Sequence, residues 1–136
     1  MNIVNREEIF PKGDKASPDY FTGTAWVKLL VPADEIFNTQ IGNVVFEPGA
    51  RNNWHTHAGG QVLVVTAGKG CYQEKGKPIQ LLQAGDVVKI LPGIVHWHGA
   101  SPDSSFTHLA INTHTEKGIV DWMQPVSDKE YAGEEF

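Results

Sequence analysis

A single cysteine, Cys71, stands among 136 residues, so no disulfide can close within the chain and a reducing, cytoplasmic setting is expected. Basic residues are also scarce: 11 Lys and Arg against 16 Asp and Glu give a net charge of −5. They form no run and no cluster interleaved with aromatics, which removes the electrostatic surface that nucleic acid requires. Long apolar runs are missing too. The longest, such as Gln61 to Ala67, are strand-sized and far below the ~20 residues of a membrane-crossing helix. Met1-Asn-Ile-Val-Asn-Arg-Glu-Glu carries acids where a signal peptide has a basic stretch and an apolar core. Helical periodicity, internal repeats and low-complexity segments are absent, which argues against a bundle or an array.

What is present favours strands. Fourteen glycines and eight prolines punctuate short Val- and Ile-rich runs, and 40% of residues are hydrophobic, enough for the core of one domain over residues 1–136. Strands are expected at Trp26 to Val31, Gly42 to Glu47, Asn53 to His57, Gln61 to Ala67 and Gly70 to Glu74. Others follow at Ile79 to Leu82, Val87 to Leu91, His96 to Ala100 and Ser105 to Asn112. Turns at Gly68-Lys69-Gly70, Lys75-Gly76-Lys77-Pro78 and Ala84-Gly85-Asp86 separate them, as a jelly roll requires. Ser127-Asp-Lys-Glu130 spells a capping box for a short terminal helix, and fits a surface loop equally well.

The informative segment is Gly49-Ala-Arg-Asn-Asn-Trp-His55-Thr-His57-Ala-Gly-Gly-Gln61, answered by Pro92-Gly93-Ile-Val-His96. On an extended strand a spacing of two returns side chains to one face, so His55 and His57 can share one ion. Gln61 keeps their parity, after two glycines that let the chain turn into the next strand. Pro92-Gly93 suits a tight turn that delivers His96 as a fourth ligand.

These residues resemble the first cupin motif, G-x5-H-x-H-x3,4-E-x6-G, through Gly49, His55, His57, Gln61 and Gly68, with glutamine in the glutamate position. The second motif is matched more loosely by Gly85, Pro92, Gly93 and His96, and Gly99 stands where an asparagine is usual. Phe46-Glu-Pro-Gly-Ala-Arg51, Trp54-His-Thr-His57, His96-Trp-His-Gly-Ala100, Thr107-His-Leu-Ala-Ile111 and Val120-Asp-Trp-Met123 are similar to the small bacterial cupins that include manganese-dependent hydroxynitrile lyases. Relatives of carboxymuconolactone decarboxylase fall in the same group. The resemblance implies an all-β, single-domain double-stranded β-helix with its metal-binding core over residues 42–112. It further implies a divalent metal, Mn2+ first and Fe2+, Ni2+, Co2+ or Zn2+ as alternatives, and a homo-oligomer. In that group glutamine serves as a ligand.

Three imidazoles and a carboxamide are neutral, so a divalent ion keeps its whole charge, whereas a glutamate would cancel half of it. That donor set favours Lewis-acid chemistry over stabilising a trivalent metal. His98, two residues beyond His96, and His108, on a strand face shared with Phe106, Ala110 and Asn112, are the acid–base candidates. Both placements also fit hydrogen-bonded core histidines. Arg51, Phe46, Trp54 and Asn112 are candidates for the substrate pocket; Arg51 suits a surface ion pair as well, and Trp54, next to His55, can face outward. Cys71 within a strand reads as an inert buried thiol rather than a nucleophile, and His114 as solvated. Three functions follow as expectations: a metal-dependent lyase on a small carbonyl or hydroxynitrile substrate, an oxygen-dependent cupin, or a ligand-binding cupin without catalysis. Ile3, Val4, Ile9, Phe10, Trp122 and Met123 are apolar residues that need cover, from a second subunit or from the same barrel.

Overall fold

Antiparallel pairing organises residues 9–134, the part of the chain that the computed structural model describes. The strands there are β1 Asp14–Lys15, β2 Phe21–Thr22, β3 Ala25–Val31, β4 Thr39–Phe46, β5 Arg51–Asn52 and β6 His55–Thr56. They continue with β7 Gln61–Glu74, β8 Gln80–Gln83, β9 Val87–Ile90, β10 His96–Ala100, β11 Phe106–Thr113 and β12 Asp121–Trp122. The hydrogen-bonded path runs β1-β3-β4-β11-β7-β10-β5-β2, with β8 and β9 on β7 and β6 between β10 and β12. This is the expected all-β barrel, a curled sheet with, among the described residues, one short α-helix, α1 Asp128–Tyr131, and a 3-10 turn at Thr115–Lys117.

Strand β7 closes the barrel because it serves both halves. Its first residues pair with β9 and β11, and its last with β8 and β10. The turn expected at Gly68-Lys69-Gly70 is therefore corrected to a bend inside one strand of 14 residues. Gly68 has φ +76°, and a Cβ there would lie 1.9 Å from the Ser105 carbonyl oxygen. The bend needs both the left-handed backbone and the missing side chain. The turns after Glu74 and Gln83 form as expected, closed by Lys77 N donating to Glu74 O and Asp86 N to Gln83 O.

The strand expected over Asn53 to His57 is also corrected. Only β6 lies within it, and a break at Asn53 and Trp54 splits β6 from β5, because Asn53 N donates to Tyr20 O, while Trp54 exchanges backbone bonds with Met123 and Gln124. The split shifts the inward and outward alternation by one residue, so Asn52 and His55 both face the cavity.

Two apolar clusters hold the layers. Phe46, Leu63, Val65, Tyr72, Ile90 and Phe106 fill the barrel. Trp54, Trp97, Cys71 and Val126 pack on its outer side, with Ile79 and Tyr131 against them. Each such large side chain contributes roughly 1.5–3 kcal/mol by burial. In the second cluster Trp97 Nε1 donates to Gln73 Oε1 at 2.8 Å, whereas the buried Trp54 Nε1 has no hydrogen-bond partner. Helix α1 starts with both halves of the Ser127/Glu130 capping box. Ile3 and Val4 lie outside the described residues; Ile9 is 65% exposed, and Met123 is also exposed. Trp122 is half-buried and lines the cavity of the barrel.

Candidate metal centre and cavity

Strand β6 pairs with β10 so that His55 stands opposite His96, and their rings meet with centroids 4.2 Å apart. His57 follows β6, with its ring centroid 4.9 Å from that of His55. Its backbone is fixed from two sides, because Gly60 N and Gly93 N both donate to His57 O. The glycine pair and the Pro92-Gly93 turn thus grip the same carbonyl. Gly59 is needed as well, since a Cβ there would come within 2.0 Å of Thr113 O.

The three motif imidazoles share one device. Nδ1 of His55 donates to Asn53 O at 2.7 Å, Nδ1 of His57 to Ile119 O at 2.6 Å, and Nδ1 of His96 to Ile94 O at 2.9 Å. A proton fixed on Nδ1 leaves Nε2 as a lone pair, the form a metal ligand requires. His57 Nε2 is buried without any partner. Gln61 Oε1 lies 3.4 Å from His96 Nε2. A buried orphan acceptor beside further lone pairs fits a cation, so these residues suit the metal that the resemblance implies.

Among the described residues, a three-histidine group able to hold an ion is His55, His96 and His98, whose ligand atoms lie within 4.8 Å of one another. This trio contains His98 where the sequence reading had His57. The two differ in their other bonds. His98 Nδ1 is 2.9 Å from His108 Nε2, and Asn52 Nδ2 is 3.2 Å from His98 Nε2. Asn52 Oδ1 accepts the His98 backbone N–H at 2.9 Å, which turns the Asn52 NH2 toward the ring. Asn52 Nδ2 is also 3.3 Å from His98 Nδ1, so it singles out neither ring nitrogen, and the His98–His108 hydrogen bond can run in either direction.

Burial dominates the electrostatics. It is the largest cause holding His55 and His98 well below the ordinary imidazole pKa, with neighbouring histidines adding to it. Burial also lowers His57, and brings His96 and His108 down to about 4. All five imidazoles are therefore neutral near pH 7. His55, His57 and His98 border a cavity of about 270 Å³, walled on its apolar side by Phe21, Val27, Val44, Ile119, Val120 and Trp122. His55, His57, Gln61, His98, Asn52 and Asn112 provide its polar end. Trp122 stacks on Tyr20 with centroids 4.9 Å apart and lies equally close to His55. None of the lining residues is Lys, Arg, Asp or Glu.

Arg51, Phe46 and Trp54 do not line the cavity. Arg51 points to the opposite side, where it donates to Val126 O and Asp128 Oδ1, each at 2.9 Å. The slip of alternation between β5 and β6 sends it there. Phe46 is fully buried beneath His98 and His108, with its ring centroid 5.6 Å from His108. Trp54 belongs to the outer cluster together with Cys71, whose buried thiol is pushed up in pKa by desolvation. His114 is exposed. Sequence reasoning missed Asn52, Gln40, Ile119 and Trp122 as cavity residues. Alternation carried unbroken through Asn53 and Trp54 hides Asn52, and nothing local links Trp122 to His55 until β12 pairs with β6.

Residues 42–112 match the cupin domain family. Over 117 residues, 86% of this chain and 89% of the relative, the sequence is 45% identical to an (R)-mandelonitrile lyase of Granulicella tundricola. The crystal structure of a cupin-like protein from Thermotoga maritima is 54% identical, covering 92% of this chain and 95% of that one with a TM-score of 0.89. An uncharacterised double-stranded β-helix protein from Klebsiella pneumoniae, 20% identical, covers 88% of this chain and 99% of its own, with a TM-score of 0.65. That likeness concerns the fold alone. With the barrel, the buried histidines and these matches together, the chain belongs to the cupin family.

Proposed function

We propose that this protein is a metal-dependent lyase that cleaves, and in reverse forms, a hydroxynitrile of mandelonitrile type. The 45% identity to an (R)-mandelonitrile lyase over 86% of the chain carries the reading, and the cavity supports it. His55, His57, His96 and Gln61 are the proposed ligands, favoured by the three Nδ1 protons held on backbone carbonyls and by the orphan His57 Nε2. When bound there, a divalent ion, Mn2+ on the resemblance and the mixed nitrogen and oxygen donors, would supply Lewis acidity toward the substrate oxygen.

His98 is the proposed proton carrier. Its Nε2 accepts the hydroxyl proton of the hydroxynitrile as the C–CN bond breaks and the C=O bond forms. Cyanide leaves with the bonding electron pair and takes the same proton back as hydrogen cyanide, so His98 ends neutral. Burial keeps it neutral at the start. His108 lies 2.9 Å from the His98 Nδ1 and, accepting that hydrogen bond, steadies the transient imidazolium. Asn52 holds the ring at the cavity wall through two contacts. Phe21, Val120 and Trp122 provide an apolar berth for an aryl group.

The test is aldehyde release from mandelonitrile by manganese-loaded protein under nitrogen and under air, with elemental analysis of the bound metal. Equal release in both gases, lost in His98→Ala and after chelation, is expected. Release only in air would replace the lyase by an oxygen-dependent reaction. Cytoplasmic residence and a homo-oligomer belong to the same proposal. They are supported by the lone thiol and by exposed Ile36 and Phe37, and sedimentation tests the latter.

A further inference from the structure

Gln61 is not an isolated ligand candidate. Gln61 and Gln40 both stand directly opposite Asn112, on β7 and β4 either side of β11. Side chains of directly opposed residues project from the same face of a sheet. Gln61 Nε2 donates to Asn112 Oδ1 at 2.9 Å, and Asn112 Nδ2 donates to Gln40 Oε1 at 3.0 Å. Gln61 and Asn112 are both buried, and all three amides border the cavity.

Such a chain has a polarity. In each link an amide N–H donates to the oxygen of the next amide, so turning one of them over sets NH2 against NH2 or oxygen against oxygen in a buried place. A carboxamide can offer a cation only its oxygen, because the nitrogen lone pair is delocalised and its protons repel positive charge. We infer that Asn112 and Gln40 are positioning residues that set the flip of Gln61 and present Oε1, not the NH2 group, to the metal. This rests on the proposal that Gln61 is a ligand. Asn112 thereby gains a role that is not substrate contact, and Gln40, at the far end of three strands, influences an ion it does not touch.

The test measures Mn2+ affinity of chelator-stripped protein by equilibrium dialysis, in two backgrounds. Asn112→Leu is expected to weaken Mn2+ binding roughly 10–100-fold, the usual range for loss of an outer partner of a metal ligand. In a Gln61→Glu background the same substitution should cost less than about threefold, because a carboxylate presents an oxygen in either orientation. Gln40→Leu should weaken binding in the same direction by a smaller factor, and provides the test if Asn112→Leu does not fold. Thermal unfolding of the metal-free variants establishes folding. An equal penalty in both backgrounds would overturn the inference, assigning Asn112 to packing. Unchanged affinity in Gln61→Ala would instead remove Gln61 from the ligand set, a different failure.

Discussion

Acidification should unfold the metal-free protein through its buried imidazoles. His96 and His108 are held to about 4 by burial, against about 6.5 in an unfolded chain. Between these values the unfolded state binds the proton and the folded state does not, so stability falls as pH falls from 6.5 toward 4 and levels off below. Stability is complete above 6.5. At pH 5 each of the two histidines costs about 2 kcal/mol, and the pair about 4 kcal/mol, a large part of the 5–15 kcal/mol typical of a domain. His55, His57 and His98 shift in the same direction and steepen the loss. Urea unfolding of stripped protein at pH 7.5, 6.5, 5.5 and 5.0 measures it. His108→Gln should reduce the slope by up to roughly 1.4 kcal/mol per pH unit, and saturating Mn2+ should oppose the loss because it competes with protons for the ligands. A midpoint independent of pH across this window would refute the account of neutral, desolvated histidines.

Other substitutions separate the frame from the site. Gly68→Ala places a methyl 1.9 Å from Ser105 O at φ +76°; a loss of at least about 2 kcal/mol is expected in urea unfolding, with scant soluble protein as the extreme outcome. Arg51→Met removes the anchor between the barrel and helix α1. Its expected cost is about 1–3 kcal/mol of stability, mostly from the Val126 carbonyl because Asp128 is fully exposed, with Mn2+ affinity unchanged. Trp122→Ala opens the apolar wall beside His55. Calorimetric binding of aromatic substrate analogues should weaken by more than tenfold while small aliphatic ones change little.

How much of this was legible in the sequence depends on how far alternation holds. Strand β10 and the cavity-facing placement of Asn112 follow from period-two reading, because β10 and β11 run unbroken. The His-x-His pair and Gln61 converge for a different reason: backbone bonds to Ile119, Gly60 and Gly93 orient His57 after the strand has ended. Arg51 is placed in the pocket by sequence and Asn52 is missed because the chain turns aside at Asn53 and Trp54 to meet Tyr20 and Met123, contacts remote in sequence. Gly68 looked like a turn because glycine permits both a reversal and a sharp bend, and only the approach of Ser105 distinguishes them. The Gln40–Asn112–Gln61 chain depends on the register of three strands, which no local pattern encodes.

The central claim is tested most directly in the synthetic direction. Manganese-loaded protein is given benzaldehyde and cyanide under nitrogen, at a pH low enough to suppress the background addition, and the product is resolved by chiral chromatography. The account predicts an excess of one mandelonitrile enantiomer, (R) if the likeness to the Granulicella tundricola enzyme extends to facial selection, and its disappearance in His98→Ala. Racemic product at the uncatalysed rate, from protein carrying a full complement of metal, would contradict it.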